Sequence, residues 1–257
     1  VLDLVTLQCG KRIMTGPIIL LATLLTALIS GVFGMAGGLI LMGALLLVLP
    51  VAGAMVAHGV IQSVANGWRA VLLHRWIDWR ILGIYAIGSA SGAGALALAA
   101  VQLDRAWLFI VLGLVPALVW LPKERLHLDA TRPLHAALCG LLVTGLNTIA
   151  GVAGPLLDVF FVRTSLDRRA VVATKAATQV LAHAVKIAYY LLPALAAGAL
   201  GEWPWLIAAA PLAVLGTTLG ARLLERLSNA KFRNYTKWIV SGVGLVYVIR
   251  GMLLLTG

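Results

Sequence analysis

Two sets of four polar residues are placed where they could do chemistry. His58, Gln62, Asn66 and Arg69 are spaced i, i+4, i+8 and i+11. On a helix turning about 100° per residue, they fall within about 80° of one another. Lys175, Gln179, His183 and Lys186 repeat that spacing at a constant offset of 117. Polar and ionisable groups on one face of an otherwise apolar helix mark a functional lining. Their excess of basic members favours an anion. Arg69 and Lys186 sit near the helix ends and have a second reading, snorkelling to the membrane interface.

A second pair of features obeys the same offset. Gly34, Gly37 and Gly38 fall on Gly151, Gly154 and Pro155, in the apolar stretches 31–50 and 149–157. Glycine there predicts a broken helix, tolerated in a membrane only where the freed backbone lines a cavity or packs on protein. The helix restarting after each break offers unpaired N–H groups and a partial positive charge, which attract an anion. Pro155 suits the first helical position, where no N–H is needed. The competing reading is a close helix crossing, since glycine is common in membrane helices. Asp158 is the carboxylate placed within an apolar segment, where the first copy has Leu41. It is a candidate coupling residue, as is His183, or else it pairs with a nearby Lys or Arg.

The elements that hold these residues follow from composition. The chain of 257 residues is 61% hydrophobic and 11% charged, with a mean hydropathy of +1.01, against roughly 25% charged in ordinary globular proteins. Several apolar runs reach the roughly 20 residues that cross a bilayer as a helix, and the alternating short segments of a barrel are not seen. The fold class expected is an all-α polytopic membrane protein. It reads as two inverted repeats, each a broken or re-entrant helical hairpin plus three transmembrane helices. The divisions are an N-terminal segment 1–15, a first repeat 16–121, a linker 122–133 and a second repeat 134–257. In the first repeat the broken segment covers about 16–50, with helices near 53–73, 81–101 and 106–121. In the second it covers about 134–162, with helices near 170–192, 203–222 and 236–255. The hairpin arms, at about 11–17 residues, are expected to reach only about 17–25 Å. Gly88 and Gly92 recur as Gly216 and Gly220, a small-residue spacing that signals close helix packing.

Charge sets the orientation. Segments 74–80, 122–133, 163–169 and 222–237 hold 2, 3, 3 and 5 Lys/Arg, while 1–15, 102–105 and 193–202 hold 2, 1 and 0. The positive-inside bias makes the rich set, and the inter-repeat linker, cytoplasmic. Segment 134–162 then enters and returns from the cytoplasmic side, and 16–50 from the other. Trp76, Trp79, Trp120 and Trp238 read as markers of the cytoplasmic interface, Trp107, Trp203 and Trp205 of the opposite one. The net charge of +11 is thereby explained without nucleic acid. Residues 1–12 lack an apolar core ahead of a cleavage site, so no signal peptide is expected. Cys9 and Cys139 are too few for a disulfide framework or a metal site.

The paired Gly-rich breaks, the apolar stretch ending at Pro50 and the following helix with its Gln face resemble the sulfite exporter TauE/SafE family of membrane permeases. The family's glycine-rich signature corresponds to Gly34-Met-Ala-Gly-Gly38 and Gly151-Val-Ala-Gly-Pro155. Both are thinner in glycine than the fullest family versions, and His58 matches no family position. The resemblance covers nearly the whole chain. It implies transport of small sulfur-containing anions, such as sulfite, thiosulfate or sulfonates, across the inner membrane.

The function expected is a secondary transporter working by alternating access, with the anion held between the two tips; the alternative is an anion channel with a fixed pore lined by the same hairpins. No Walker motif is present, so ATP hydrolysis is not expected. An enzyme is not expected either, for lack of a Ser/His pair at a broken segment or a His/Glu metal spacing. The partners expected are a small anion and the lipid bilayer, with no cofactor or metal; proton coupling and a homo-oligomer are compatible with the sequence.

Overall fold

Glycine, proline and a few aspartates decide where the helices stop and start. In the computed structural model, the backbone is described at residues 2–33, 35–122, 126–199, 203–224 and 229–256, and the side chains at 15–31, 36–122, 126–199, 203–223 and 235–256. Over these residues the first half forms α1 (Leu2–Phe33), α2 (Met35–Val48), α3 (Val51–Leu72), α4 (Trp79–Ala99) and α5 (Arg105–Leu114), the last running into a 3₁₀ turn to Trp120. The second half forms α6 (Pro133–Ala150), α7 (Gly154–Phe161), α8 (Arg168–Ala196), α9 (Trp203–Leu224) and α10 (Asn229–Thr256). No strand occurs among the described residues. Pro50 precedes α3. Asp78, Asp104 and Asp167 cap α4, α5 and α8 by accepting from the N–H groups of Ile81, Trp107 and Arg169 at 2.8–3.0 Å. Acidic residues are scarce in this chain, and three of them satisfy orphan donors at helix N-termini, a contribution of about 1 kcal/mol each.

Among the described residues, five helices are long and apolar enough to cross a membrane: α4, α6, α8 and most of α9 and α10. Their outward faces carry Ile87, Leu98, Leu142, Leu192, Ile207 and Leu253, all widely exposed. Such a surface suits lipid, not water. The protein is therefore an all-helical, polytopic membrane protein. Over a membrane-crossing length α3 is less apolar than these five because of the polar face that carries His58, Gln62 and Asn66, and that face is turned inward.

Two helices are broken as the glycines predict. α1 stops at Phe33 and α2 starts at Met35, with Gly34 outside the described residues. The two arms fold back on each other, and a Cβ at Gly37 would strike the Thr26 carbonyl and lie 2.6 Å from Ser30 Cβ. α6 ends at Gly151, whose φ of 82° is the left-handed conformation glycine tolerates best, and α7 restarts at Gly154. The second segment returns to the end it came from, since the Ala130 N–H donates to the Phe160 carbonyl at 2.9 Å. The arms are not the matched 11–17 residues expected. They are 32 and 14 residues in the first segment, 18 and 8 in the second, so α2 alone falls within that range. α1 continues back through residues 2–15 instead of starting near residue 16. The 8-residue α7 spans only about 12 Å, so the second break lies well short of a membrane thickness from its own helix end.

The packing partners exchange when the halves exchange: α1 lies on α9 and α6 on α4, while α3 crosses α8 and α5 lies on α10. Small residues make these approaches. Gly88 abuts the Ala137 carbonyl and Gly140 the Tyr85 carbonyl across α4–α6. Gly216, Gly220 and Gly31 do the same across α9–α1, with the would-be Cβ of Gly31 only 2.6 Å from Gly220 Cα. One end of the bundle joins segment 74–80 to the start of α8, through the Asp78 N–H donating to Thr174 Oγ1 at 2.9 Å and Arg169 lying 5.3 Å over Trp76. At the other end, Arg105 donates to the Leu49 carbonyl at 2.9 Å and Tyr189 to the Val101 carbonyl at 2.8 Å. Apolar cores fill two regions, one among α1, α2, α3, α5, α9 and α10 and one among α4, α6 and α7, which buries Cys139.

Overpacking a close crossing costs about 1–3 kcal/mol. Gly88→Ala and Gly37→Ala are thus expected to lower the melting temperature of the detergent-purified protein. Gly83→Ala, with nothing within 4 Å of the new carbon, is expected to stay within about 0.5 kcal/mol of the parent. Thermal melts followed by size-exclusion chromatography check the contrast, and three equal curves would contradict it.

Candidate functional site

α3 and α8 cross with their polar faces toward each other. Gly59 makes the crossing close, its would-be Cβ 2.6 Å from Ile187. Between them and the two broken segments lies a cavity of about 450 Å³. His58, Gln62, Asn66 and Arg69 line it from α3, and Lys175, Gln179 and His183 from α8. Gly38 contributes from the first break, Gly154 with Asp158 from the second. The wall reaches the bundle surface at Val162, Arg168 and Val172, beside Val119, Thr236 and Lys237. The basic segment 163–169 and Lys237 thus border its mouth. Away from that mouth lies packed hydrocarbon, including Leu45, Leu46, Met55, Leu108 and Tyr190.

Among the described residues the lining carries Arg69, Arg168, Lys175 and Lys237 against one carboxylate, Asp158, so their net charge is positive. Asp158 is bonded to the ammonium of Lys175, both groups about a quarter exposed. Arg69 donates toward the Ser30 carbonyl at 3.5 Å and Asn66 Oδ1 at 3.4 Å. Asn66 in turn donates to the Gln62 carbonyl at 3.0 Å. His58 and His183 meet edge to face with ring centroids 5.5 Å apart. Beneath them, Lys186 is fully buried: its Nζ donates to His58 Nδ1 at 2.7 Å and to the Gly151 carbonyl at 2.9 Å. The other ring nitrogen, Nε2, lies 2.9 Å from the Gly38 carbonyl. One continuous set of hydrogen bonds therefore ties the first break to the second through His58 and Lys186.

The fifteen residues singled out from the sequence do not all reach the cavity. Gly37 packs its own hairpin together, and Gly151 caps α6 and turns its carbonyl to Lys186. Pro155 is buried at the start of α7. None of these three, nor Lys186, lines the cavity; Gly34 lies outside the described residues. Lys186 does not snorkel, because its whole side chain is enclosed. Asp158 takes the ion-pair reading, with Lys175 as its partner.

Sequence reasoning missed Ser30 and Asn147, which line the cavity. Asn147 donates to the Ala182 carbonyl at 3.1 Å. They too are 117 residues apart, so the offset that paired the glycines would have found them, had single polar residues in apolar runs been tested against it. Arg168 and Lys237 were counted as orientation signals alone.

Such a lining, basic and amide-rich, between two helix breaks in a membrane bundle, fits a small anion. Comparison with curated proteins gives no match, and comparison with solved structures gives none. The sequence model of the family described as Sulfite exporter TauE/SafE matches residues 19–247. The match takes in both broken segments, α3, α8 and the cavity between them, and the chain belongs to the sulfite exporter TauE/SafE family, a family of membrane transporters of sulfur anions such as sulfite.

Proposed function

We propose that this protein is a secondary carrier of a small sulfur-containing or organic anion, such as sulfite, thiosulfate or a sulfonate, in the inner membrane. The observation that carries the reading is the cavity itself: among the described residues, four Lys/Arg side chains and one carboxylate line a space between two helix breaks, and its wall reaches the bundle surface at Val162, Arg168 and Val172. The basic segments at that end make it the cytoplasmic one by the positive-inside bias, with the linker 122–133 on the same side. The anion sits against Arg69, Lys175, Gln62, Gln179, Asn66 and His183, with Gly38 and Gly154 letting it approach the backbone. The two halves act as inverted repeats, each contributing one break, and rocking about the α3–α8 crossing exposes the site to either face in turn. A fixed channel would need a continuous path, and the packed layer of Leu45, Leu46, Met55 and Tyr190 favours the carrier.

Purified protein in proteoliposomes is expected to take up radiolabelled sulfite, thiosulfate or a small sulfonate with saturable kinetics and to exchange it for internal unlabelled anion. Flux that rises linearly with concentration would replace the carrier by a channel. No flux of any of these anions would remove the reading.

Asp158 competes with the substrate for Lys175. A charge-assisted hydrogen bond contributes about 1.5–3 kcal/mol, so Lys175→Met is expected to raise the KM for the transported anion by about 10- to 100-fold. Asp158→Asn frees the ammonium and is expected to lower the KM. Equal KM values in parent and Lys175→Met protein would place the anion elsewhere.

A further inference from the structure

Lys186 is the group the anion site does not explain. It is fully enclosed in the middle of a membrane bundle, behind the cavity and not in its wall. A charged ammonium offers three hydrogens, and the protein supplies two acceptors, His58 Nδ1 and the Gly151 carbonyl. The assignment is constrained at both ends. His58 Nε2 faces the Gly38 carbonyl, which only accepts, so the ring carries its proton there and leaves Nδ1 as an acceptor. A neutral amine, with two hydrogens, is fully satisfied by this arrangement. A third hydrogen, and the positive charge it brings, has no partner among the described residues. The cavity's carboxylate, Asp158, is already bonded to Lys175.

The ionisable surroundings of Lys186 are few. From α3 it faces His58, and on its own helix His183 lies one turn earlier and Tyr190, a buried neutral phenol, one turn later. α6 presents the Gly151 carbonyl, and α4 has no ionisable side chain after Tyr85. Every neighbour is neutral or basic. A buried charge without a counter-charge is costly, and the counter-charge that this site is built to receive is the transported anion, on the cavity side of His58.

Resting on the transport reading above, we propose that Lys186, backed by His58, takes up one proton when the anion fills the cavity and releases it when the anion leaves, so that anion and proton travel together. Charge and protons balance: one anion and one proton leave one face and arrive at the other, electroneutrally for a monovalent anion. The coupling site is then the His58–Lys186 pair joining the two breaks, and not Asp158.

The test uses methanesulfonate and thiosulfate, neither of which titrates between pH 5 and 8. In proteoliposomes one pH unit more acid outside is expected to drive accumulation of methanesulfonate to about tenfold in the parent protein, the limit for one proton per monovalent anion. Lys186→Met is expected to show no accumulation while still exchanging labelled for unlabelled anion. Accumulation by Lys186→Met at the parent's level would overturn the proposal. A second measurement, independent of how Lys186→Met folds, uses the parent alone: in weakly buffered detergent at pH 7.5, saturating methanesulfonate or thiosulfate is expected to remove about one proton per protein from solution, and no uptake would overturn the proposal by itself. No flux and no binding of either anion by the parent would instead remove the transport reading beneath it.

Discussion

A polar group inside a bilayer must find its partners within the protein, and the arrangement around Lys186 follows from that constraint. Its hydrogen bonds draw the end of α6 and the imidazole of α3 to one point on α8, and the imidazole draws in α2. Four helices from both halves are thereby fixed at the level of the two breaks. Left without acceptors, a buried amine would cost several kcal/mol, so none of these elements can shift alone without exposing another's polar group to hydrocarbon. The same pressure explains the smaller bonds nearby: Asn147 on the Ala182 carbonyl, Asn66 on the Gln62 carbonyl and Thr144 bonded to Ser89.

Packing with little hydrophobic gain is the second requirement. Lipid tails are as apolar as leucine, so helices here adhere by close contact, not by escape from water. That is why glycine recurs at crossings unrelated to the cavity. Gly113 and Gly244 each lie where a Cβ would fall 2.5–2.6 Å from the other's carbonyl oxygen. Glycine-rich sequence in such a protein therefore serves two ends, and only position relative to the cavity separates them. Gly37 and Gly38 are adjacent, yet the first faces α1 and the second faces Gln62.

That adjacency shows what the sequence could reveal. The number and order of helices, the two breaks and the inward polar face of α3 and α8 were legible, because hydrophobicity, glycine and a constant offset are local or periodic signals. The Asp158–Lys175 pairing was legible only as an alternative, since it depends on how α7 lies against α8. The sequence alone puts Lys186 in the cavity wall or at the membrane interface, and it lies at neither. Helix periodicity gives a residue's angle on its helix but not what stands in front of it, and here His58 stands between Lys186 and the cavity. The hairpin arms were misjudged for a related reason: apolar runs mark the stretch lipid tolerates, whereas a helix such as α1 continues as far as its backbone hydrogen bonds do.

The offset and the crossing together account for the asymmetry of the site. In sequence, His58 corresponds to Lys175 and Arg69 to Lys186. Because α3 and α8 cross antiparallel, a residue early in one meets a residue late in the other, and so His58 meets Lys186. On the inverted-repeat reading, exchanging the halves turns that pair into Lys175 and Arg69, both of which line the cavity. The two pairs have opposite chemistry. A neutral imidazole accepts from an amine, so His58 and Lys186 can close on each other with protein atoms alone. Lys175 and Arg69 offer each other no acceptor; an anion between them would bridge the two, and Asp158 supplies one to Lys175 from the same wall. The end of the site that closes by itself is therefore the end packed with hydrocarbon, and the end that needs an anion to close is the one that reaches the surface. On the carrier reading proposed above, this gives a physical reason to move only when loaded: the transported anion would supply the acceptor that the basic half lacks.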